Sequence, residues 1–172
     1  MNAEQAQFLA DFFAKAMENE FQATCKVLAA VPDARRDYKP DEKSRTAWEL
    51  ATHLAAGDIW FIDSICNGAF TFDPDAEKKM AAGFETVADV VEFYTREFPR
   101  RLERLRSTPG EKLAQVVDFF GMMQQPAASF LVFANNHGIH HRGQLASYLR
   151  AMGSKVPAIY GGSADEPMAA AS

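Results

Sequence analysis

Three of the four histidines of the chain lie close together in the sequence, at His137, His140 and His141. At about 100° per residue, His137 and His141 differ by only roughly 40° around a helix, whereas His140 lies roughly 60° to the other side of His137. Two neutral imidazoles on one helical face can bind a divalent metal ion. We therefore predict that His137 and His141 are metal ligands and that His140 lies at the edge of their face.

The fourth histidine, His53, lies far upstream in an apolar pattern that predicts another helix. Leu50, Gly57 and Trp60 share its face at helical spacing, so its ring is expected to point inwards. A lone core histidine usually satisfies its two ring nitrogens with a carbonyl or hydroxyl oxygen. Beside an inward-pointing histidine pair, however, His53 favours a three-histidine metal site that keeps a position open for water or substrate, as catalytic sites do.

Imidazole ligands suit both Zn²⁺ and Ni²⁺, and the ligand type does not choose between the two ions. Polar side chains near the predicted ligands could orient a ring or bind substrate. These candidates are Glu49, Asn136, His140, Gln144 and Tyr148. Each of them is also explained by helix packing or by surface exposure, and both interpretations stay open.

Four long apolar patterns with a spacing of three and four residues predict the helices that carry these side chains. The patterns run from about Ala3 to Ala30, from Ser44 or Thr46 to Ile65 or Cys66, from Thr86 to a stop at Thr108-Pro109-Gly110, and from near Pro126 to about Met152. Pro99 inside the third pattern should kink it or leave a carbonyl without its partner. The sequence thus predicts an all-α fold, a four-helix bundle.

The segments between these patterns show no sustained period. Residues 33–43 are predicted to form a polar connection, and residues 69–85 an ordered loop with a short turn near residues 76–81. Residues 112–125 could be extended or a turn of helix, and no segment is a convincing strand. We expect one domain over residues 1–165, followed by a disordered tail at 166–172.

The composition limits the classes of function. A net charge of −5 over 172 residues argues against a nucleic-acid partner, which needs a basic surface. Cys25 and Cys66 lack a CxxC spacing, which favours two partly buried reduced thiols over a disulfide or a reactive thiol. Since no apolar run could span a bilayer and no targeting peptide is recognisable, we expect a soluble cytoplasmic protein without a membrane partner.

The chain resembles the DinB/YfiT-like family. The resemblance rests on the stretch from Thr46 to Leu54, on the HGIHHRGQL stretch from His137 to Leu145, and on the segment from Leu149 to Tyr160. It implies an up-down-down-up bundle, a homodimer, and a Zn²⁺ or Ni²⁺ site at His53, His137 and His141. Similar proteins of this family include bacillithiol-using thiol transferases, a mycothiol-dependent maleylpyruvate isomerase and metal-dependent hydrolases.

The leading hypothesis is a divalent-metal-dependent enzyme acting on a small molecule, above all a thiol-dependent S-transferase whose metal lowers the pKa of a low-molecular-weight thiol. The same site could instead use a metal-bound water for hydrolysis. A hydrolase needs a general base, for which Glu49 is the inward-facing candidate. Two further hypotheses are a non-catalytic metal-stabilised interaction module and a metal-free bundle whose histidines form hydrogen bonds.

Overall fold

The computed structural model describes residues 1–73 and 75–168, with residue 77 described by its backbone alone. Its helices and strands follow in the order α1 (Ala3–Ala29), α2 (Ala47–Asn67), α3 (Ala76–Ala81), α4 (Val87–Ser107), α5 (Gly110–Leu113), β1 (Val116–Phe119), β2 (Met123–Pro126) and α6 (Leu131–Leu149). Short 3₁₀ segments cover Asp33–Arg35, Ala127–Phe130 and Arg150–Met152. The long helices α1, α2, α4 and α6 coincide with the four predicted patterns to within a few residues.

Side chains cap the first turns of three long helices. In each capping box, a polar side chain accepts a hydrogen bond from the backbone N–H three residues on, and that residue's side chain accepts one in return. The pairs are Asn2 with Gln5, Thr46 with Glu49, and Thr86 with Asp89. Each pair satisfies backbone N–H groups that helix geometry leaves without a partner. The sequence therefore defines where these helices begin.

The long helices form an up-down-down-up bundle, in which α1 and α2 lie diagonally opposite and each packs against α4 and α6. Helix α4 runs antiparallel to α1 and parallel to α2, and α6 runs antiparallel to α2. The contacts that fix these directions are Gln7–Arg106 and Cys25–Thr95 for α1 and α4, Asp58–Tyr94 and Asp63–Arg104 for α2 and α4, and His53–His141 and Asp58–His137 for α2 and α6. The expected bundle and its topology are confirmed.

The core lies between the four long helices. Leu54 and Ile62 of α2 and Leu145 and Leu149 of α6 are fully buried. Burying one such side chain contributes about 1.5–3 kcal/mol, so packing holds these helices in place more than their intrinsic propensity does. In the part of the chain that the structure describes, no helix is both long and apolar enough to cross a membrane.

Strands β1 and β2 form an antiparallel hairpin, which corrects the expectation that the chain holds no strand. Phe119 pairs with Met123 across a three-residue loop, in which Phe120 and Gly121 have φ angles of 53° and 72°. Each strand has only four residues, half of them exposed. Neither sequence, VVDF or MQQP, alternates between apolar and polar side chains, which is the pattern that predicts a strand. The turn also lacks the Asn-Gly pair that signals a tight hairpin.

The short helix α3 lies where a turn was predicted, and α4 continues through Pro99. Because proline has no N–H, the carbonyl of Thr95 lacks its usual partner within the helix. Of the expected tail at 166–172, residues 169–172 lie outside the described residues, and the extent of the domain stays a prediction.

Both cysteines are free thiols, as the absence of a CxxC spacing predicted. Cys25 is half-buried at the contact between α1 and α4, and Cys66 is buried near the end of α2. Burial raises the pKa of both thiols above its ordinary value. Both are therefore protonated at neutral pH and are poor nucleophiles.

Substitution of Gly110 by alanine should destabilise the fold. An added Cβ would lie 2.3 Å from the carbonyl oxygen of Ala3, so the backbone must move, and overpacking of this kind costs about 1–3 kcal/mol. Gly143→Ala is the matched control, because its Cβ would meet nothing within 4 Å and alanine favours a helix by about 0.8–1 kcal/mol over glycine. In urea unfolding, the free energy of unfolding should fall for Gly110→Ala and rise for Gly143→Ala. A change of the same sign in both variants would contradict this account.

Candidate metal centre

The antiparallel packing of α2 and α6 brings the three predicted ligands together. One nitrogen from each of His53, His137 and His141 lies within 4.8 Å of the other two. The Nε2 atom of His53 is 3.2 Å from Nε2 of His141 and 3.3 Å from Nε2 of His137. All three rings are partly buried and the cluster keeps one side towards solvent.

Hydrogen bonds on the outer sides of two rings determine where their protons lie. Nδ1 of His137 is 3.1 Å from Oδ1 of Asp58, and Nδ1 of His141 is 2.8 Å from Oε1 of Gln144. Since both oxygens accept, both Nδ1 atoms donate, and the two Nε2 atoms turn lone pairs towards His53. His53 can donate one hydrogen from Nε2 at most. At least one lone pair, on His137 or His141, is therefore left without a hydrogen.

A divalent cation would satisfy these nitrogens together. Bonds of about 2.0–2.1 Å in a tetrahedral arrangement place the ligand nitrogens about 3.4 Å apart, close to the 3.2 and 3.3 Å between His53 and its two neighbours. Three neutral imidazoles also leave one coordination position open. The cluster could therefore hold a metal ion with room for a further ligand.

His141 is in the form that binds a metal at neutral pH. Burial lowers the pKa of its ring to about 4, and the neighbouring rings of His137, His53 and His140 act in the same direction. The hydrogen bond with Gln144 opposes this shift but does not cancel it. A neutral ring presents a lone pair without first losing a proton.

Two glycines allow the backbones of α2 and α6 to approach at the cluster. A Cβ at Gly57 would lie 2.3 Å from Cε1 of His137, and a Cβ at Gly138 would lie 3.1 Å from either carboxylate oxygen of Asp58. Gly57 on α2 thus makes room for the ring of His137, and Gly138 on α6 makes room for the carboxylate of Asp58. The sequence analysis placed Gly57 on the inward face but did not identify this role.

Asp58 is a site residue that the sequence analysis missed. Its carboxylate is 5% exposed and accepts hydrogen bonds from Nδ1 of His137 and, at 2.9 Å, from the hydroxyl of Tyr94. Burial, followed by the charge of Asp58, raises the pKa of Tyr94, which therefore stays a donor. A buried carboxylate is costly unless it is hydrogen-bonded. An acidic residue five positions after His53 within an apolar stretch could therefore have indicated a hydrogen-bonded role for Asp58 in the sequence.

Gln144 and His140 both lie beside His141, in different ways. Gln144 accepts the hydrogen bond from Nδ1 of His141 and so orients the ring. His140 is exposed, and its ring centroid is 4.9 Å from that of His141. Its nitrogens do not belong to the group that converges on His53. This arrangement agrees with the helical geometry that separated His140 from the ligand pair.

The other three candidates lie in other surroundings. Glu49 accepts hydrogen bonds from the backbone and hydroxyl of Thr46, and the backbone bond above all lowers the pKa of its carboxyl group. Tyr148 packs edge-on against Tyr38, with ring centroids 5.7 Å apart, and Asn136 is exposed. Their roles towards a metal or substrate stay predictions.

Arg142 follows His141 in the sequence, about 100° further around α6, and faces α1 instead of the cluster. It is 1% exposed, and its guanidinium pairs with Glu20 at 2.6 Å and donates to the hydroxyl of Tyr160. The Tyr160 hydroxyl in turn donates to Glu20 at 2.8 Å. This network anchors the ligand-bearing helix to α1 and to the segment after α6.

Gly57→Ala should weaken metal binding although it leaves every histidine in place. The added Cβ cannot coexist with the present position of the His137 ring. We expect the dissociation constant for Zn²⁺ to rise by about tenfold or more, as for other disturbed supports of a metal ligand. Competition with a chromophoric chelator measures this, with Gly143→Ala as control. Unchanged affinity in Gly57→Ala would show that α2 and α6 can separate without loss of the site.

Asp58→Asn should also weaken metal binding, because it removes the charge that holds the Nδ1 proton of His137. We expect about a 10- to 100-fold rise in the Zn²⁺ dissociation constant, and a smaller rise for Tyr94→Phe. Asp63→Asn is the control, since Asp63 lies on the same helix but pairs with Arg101 and Arg104 of α4. Equal effects of Asp58→Asn and Asp63→Asn would contradict a specific role for Asp58.

Comparisons with known proteins agree with this fold. The chain is 31% identical over 157 residues to the uncharacterized protein YrdA of Bacillus subtilis (strain 168), covering 91% of this chain and 90% of YrdA. A DinB-like protein from Bacillus cereus ATCC 10987 superposes with a TM-score of 0.69 at 25% identity, over 86% of this chain and 95% of that one. The mycothiol-dependent maleylpyruvate isomerase shares the fold, with a TM-score of 0.58 at 15% identity, over 84% of this chain and 61% of that one. The model of the DinB family matches residues 4–169, and the chain belongs to this family.

Proposed function

We propose that the protein is a metal-dependent enzyme that acts on a small molecule, with His53, His137 and His141 as the ligands of Zn²⁺ or Ni²⁺. The observation that carries this proposal is the convergence of three Nε2 atoms with fewer hydrogens than lone pairs. Three nitrogen ligands and a solvent side are the pattern of a catalytic rather than a structural site. Asp58 and Gln144 would hold two of the rings in the binding tautomer.

We propose thiol-dependent S-transfer as the reaction. A divalent ion lowers the pKa of a bound thiol and so favours the thiolate, the nucleophilic form. The structural neighbour described as a mycothiol-dependent isomerase supports a small thiol as the second substrate. Neither Cys25 nor Cys66 is suited to be the nucleophilic thiol, because neither belongs to the converging group and burial raises the pKa of both.

Hydrolysis is the second candidate reaction, and two carboxylates weigh against it. Activation of a water needs a base with a free lone pair near it. Glu49 is engaged with Thr46 in the capping box, and Asp58 lies behind His137 with both oxygens hydrogen-bonded. Neither of these two groups is placed to receive a proton from a water on the solvent side of the cluster.

The homodimer and the cytoplasmic location implied by the family resemblance remain proposals. A small-molecule partner is likewise proposed on the basis of the cluster. A non-catalytic metal-stabilised module would bind its metal through the same three ligands. Measurements of activity, and not of metal content, therefore distinguish it from the proposed enzyme.

Elemental analysis of untagged protein should find close to one equivalent of Zn or Ni, and each of His53→Ala, His137→Ala and His141→Ala should lose it. His140→Ala should retain the metal, because its ring lies outside the converging group. Circular dichroism checks that the helices persist in each variant. Metal loss in His140→Ala but not in His141→Ala would refute the ligand assignment.

The metal-loaded protein should accelerate attack of a low-molecular-weight thiol on a chromogenic electrophile, and His53→Ala should not. Turnover of an activated ester without thiol would instead support the hydrolase. A rise in melting temperature with metal, accompanied by neither activity, would support the non-catalytic module.

A further inference from the structure

A row of aromatic rings leads from the histidine cluster to the surface. The ring of Phe61 has its centroid 5.2 Å from that of His137 and 4.8 Å from that of Trp60. The Trp60 ring lies 6.4 Å from Phe120 and parallel to it within 5°, and Phe72 meets Phe120 edge-on at 6.3 Å. We call Trp60, Phe72 and Phe120 the aromatic shelf. It begins one ring away from a predicted metal ligand.

The outer end of the aromatic shelf is exposed to solvent. Phe72 is 73% exposed, Phe120 is 42% exposed, and Met122 beside them in the chain is 68% exposed. Apolar side chains grouped in this way at the margin of a polar centre are characteristic of ligand sites. The side chains are also positioned by structure, because Nε1 of Trp60 donates to the carbonyl of Thr71 at 3.0 Å and so holds the loop before Phe72 against α2.

Phe120 is held in a backbone conformation that its side chain disfavours. Its φ of 53° is the only positive value among non-glycine residues of the described chain. Phe120 and Gly121 are the two central residues of a β-turn from Phe119 to Met122, whose N–H donates to the Phe119 carbonyl at 3.0 Å. Positive φ at both central residues is the type I′ pattern, for which Asn-Gly or Asp-Gly is the favoured sequence. A bulky residue in this conformation is a strained outlier, and such strain clusters at functional sites. The turn does not require a phenylalanine, so the position of the ring calls for another explanation.

We propose that the aromatic shelf binds the apolar, preferably aromatic, part of a small-molecule substrate whose reacting group lies at the three-histidine centre. This inference rests on the proposed function and adds the chemical class of the substrate. The ring contacts argue for this occupant, since Phe61 touches both the His137 ring and the Trp60 ring and so joins the centre to the shelf. A second exposed pair, Phe8 and Phe12 on α1, stack on each other and have no described ring contact with the histidines.

The test compares two thiols on the Co²⁺-loaded protein, followed by the thiolate-to-cobalt absorption band. 4-Phenylbutanethiol, whose chain is long enough for its ring to reach the shelf, should bind about tenfold more tightly than butanethiol, as expected for burial and stacking of one ring. Phe120→Asn and Phe72→Ala should reduce this preference to about threefold or less while leaving the affinity for butanethiol unchanged. Phe8→Ala, which removes an equally exposed ring elsewhere, should behave as wild type.

Phe120→Asn also separates a binding role from a structural one. Asparagine suits the turn better than phenylalanine, so the melting temperature should stay level or rise while the preference for 4-phenylbutanethiol falls. A fall in melting temperature together with an unchanged preference would assign Phe120 to the hairpin alone and overturn the proposal. Equal affinity of the wild type for the two thiols would overturn it as well.

A thiol-free probe distinguishes failure of the aromatic shelf from failure of the proposed function. If neither thiol changes the cobalt spectrum, the proposed thiol chemistry fails. Quenching of tryptophan fluorescence by 2-naphthylmethanol then tests whether the aromatic shelf binds an aromatic ring without a thiol. Weaker binding to Phe120→Asn than to the wild type and Phe8→Ala supports it, and equal binding overturns it. If Phe120→Asn and Phe72→Ala convert a dimer to a monomer in sedimentation, this face joins two copies of the chain and the proposal falls.

Discussion

The close approach of α2 and α6 is the constraint on which the rest of the centre depends. At their crossing, Gly57-Asp58 on one helix faces His137-Gly138 on the other, and each glycine leaves space for the polar side chain of the opposite pair. A Cβ at Gly57 would displace the His137 ring, and a Cβ at Gly138 would press on the Asp58 carboxylate that accepts its hydrogen bond. Either change would disturb the positions at which the three imidazole nitrogens converge. The bundle core, with Leu54, Ile62 and the α6 leucines buried, supplies the force that keeps this approach closed.

Hydrogen bonds direct the protons of the centre away from the point where its rings meet. Tyr94 donates to the buried Asp58, Asp58 accepts from His137, and the exposed Gln144 accepts from His141. The lone pairs consequently face one another, and a cation is the partner that satisfies them together. The aromatic shelf lies to one side of the cluster. A substrate would therefore meet an electrophilic ion flanked by apolar surface.

Local periodicity was sufficient to predict the four long helices and the convergence of His53, His137 and His141. Features that depend on distant residues were not predictable in the same way. The role of Asp58 depends on its hydrogen bonds with Tyr94 and His137, which are 36 and 79 residues away in the sequence. No local sequence pattern predicts such distant partners. The hairpin was missed because its strands are only four residues long, do not alternate in residue type, and are joined by a turn that contains Phe-Gly. Glu49 was a candidate base in the sequence, and the structure shows its carboxylate in the capping box with Thr46.

Arg142 ties the geometry of the centre to two distant parts of the chain. Its guanidinium pairs with Glu20, 122 residues earlier, and donates to the hydroxyl of Tyr160, 18 residues later. A guanidinium buried without its partners is costly, so Glu20 and Tyr160 together fix α6 at the residue next to His141. Changes in α1 or in the segment after α6 can therefore alter the histidine cluster without touching any of its rings.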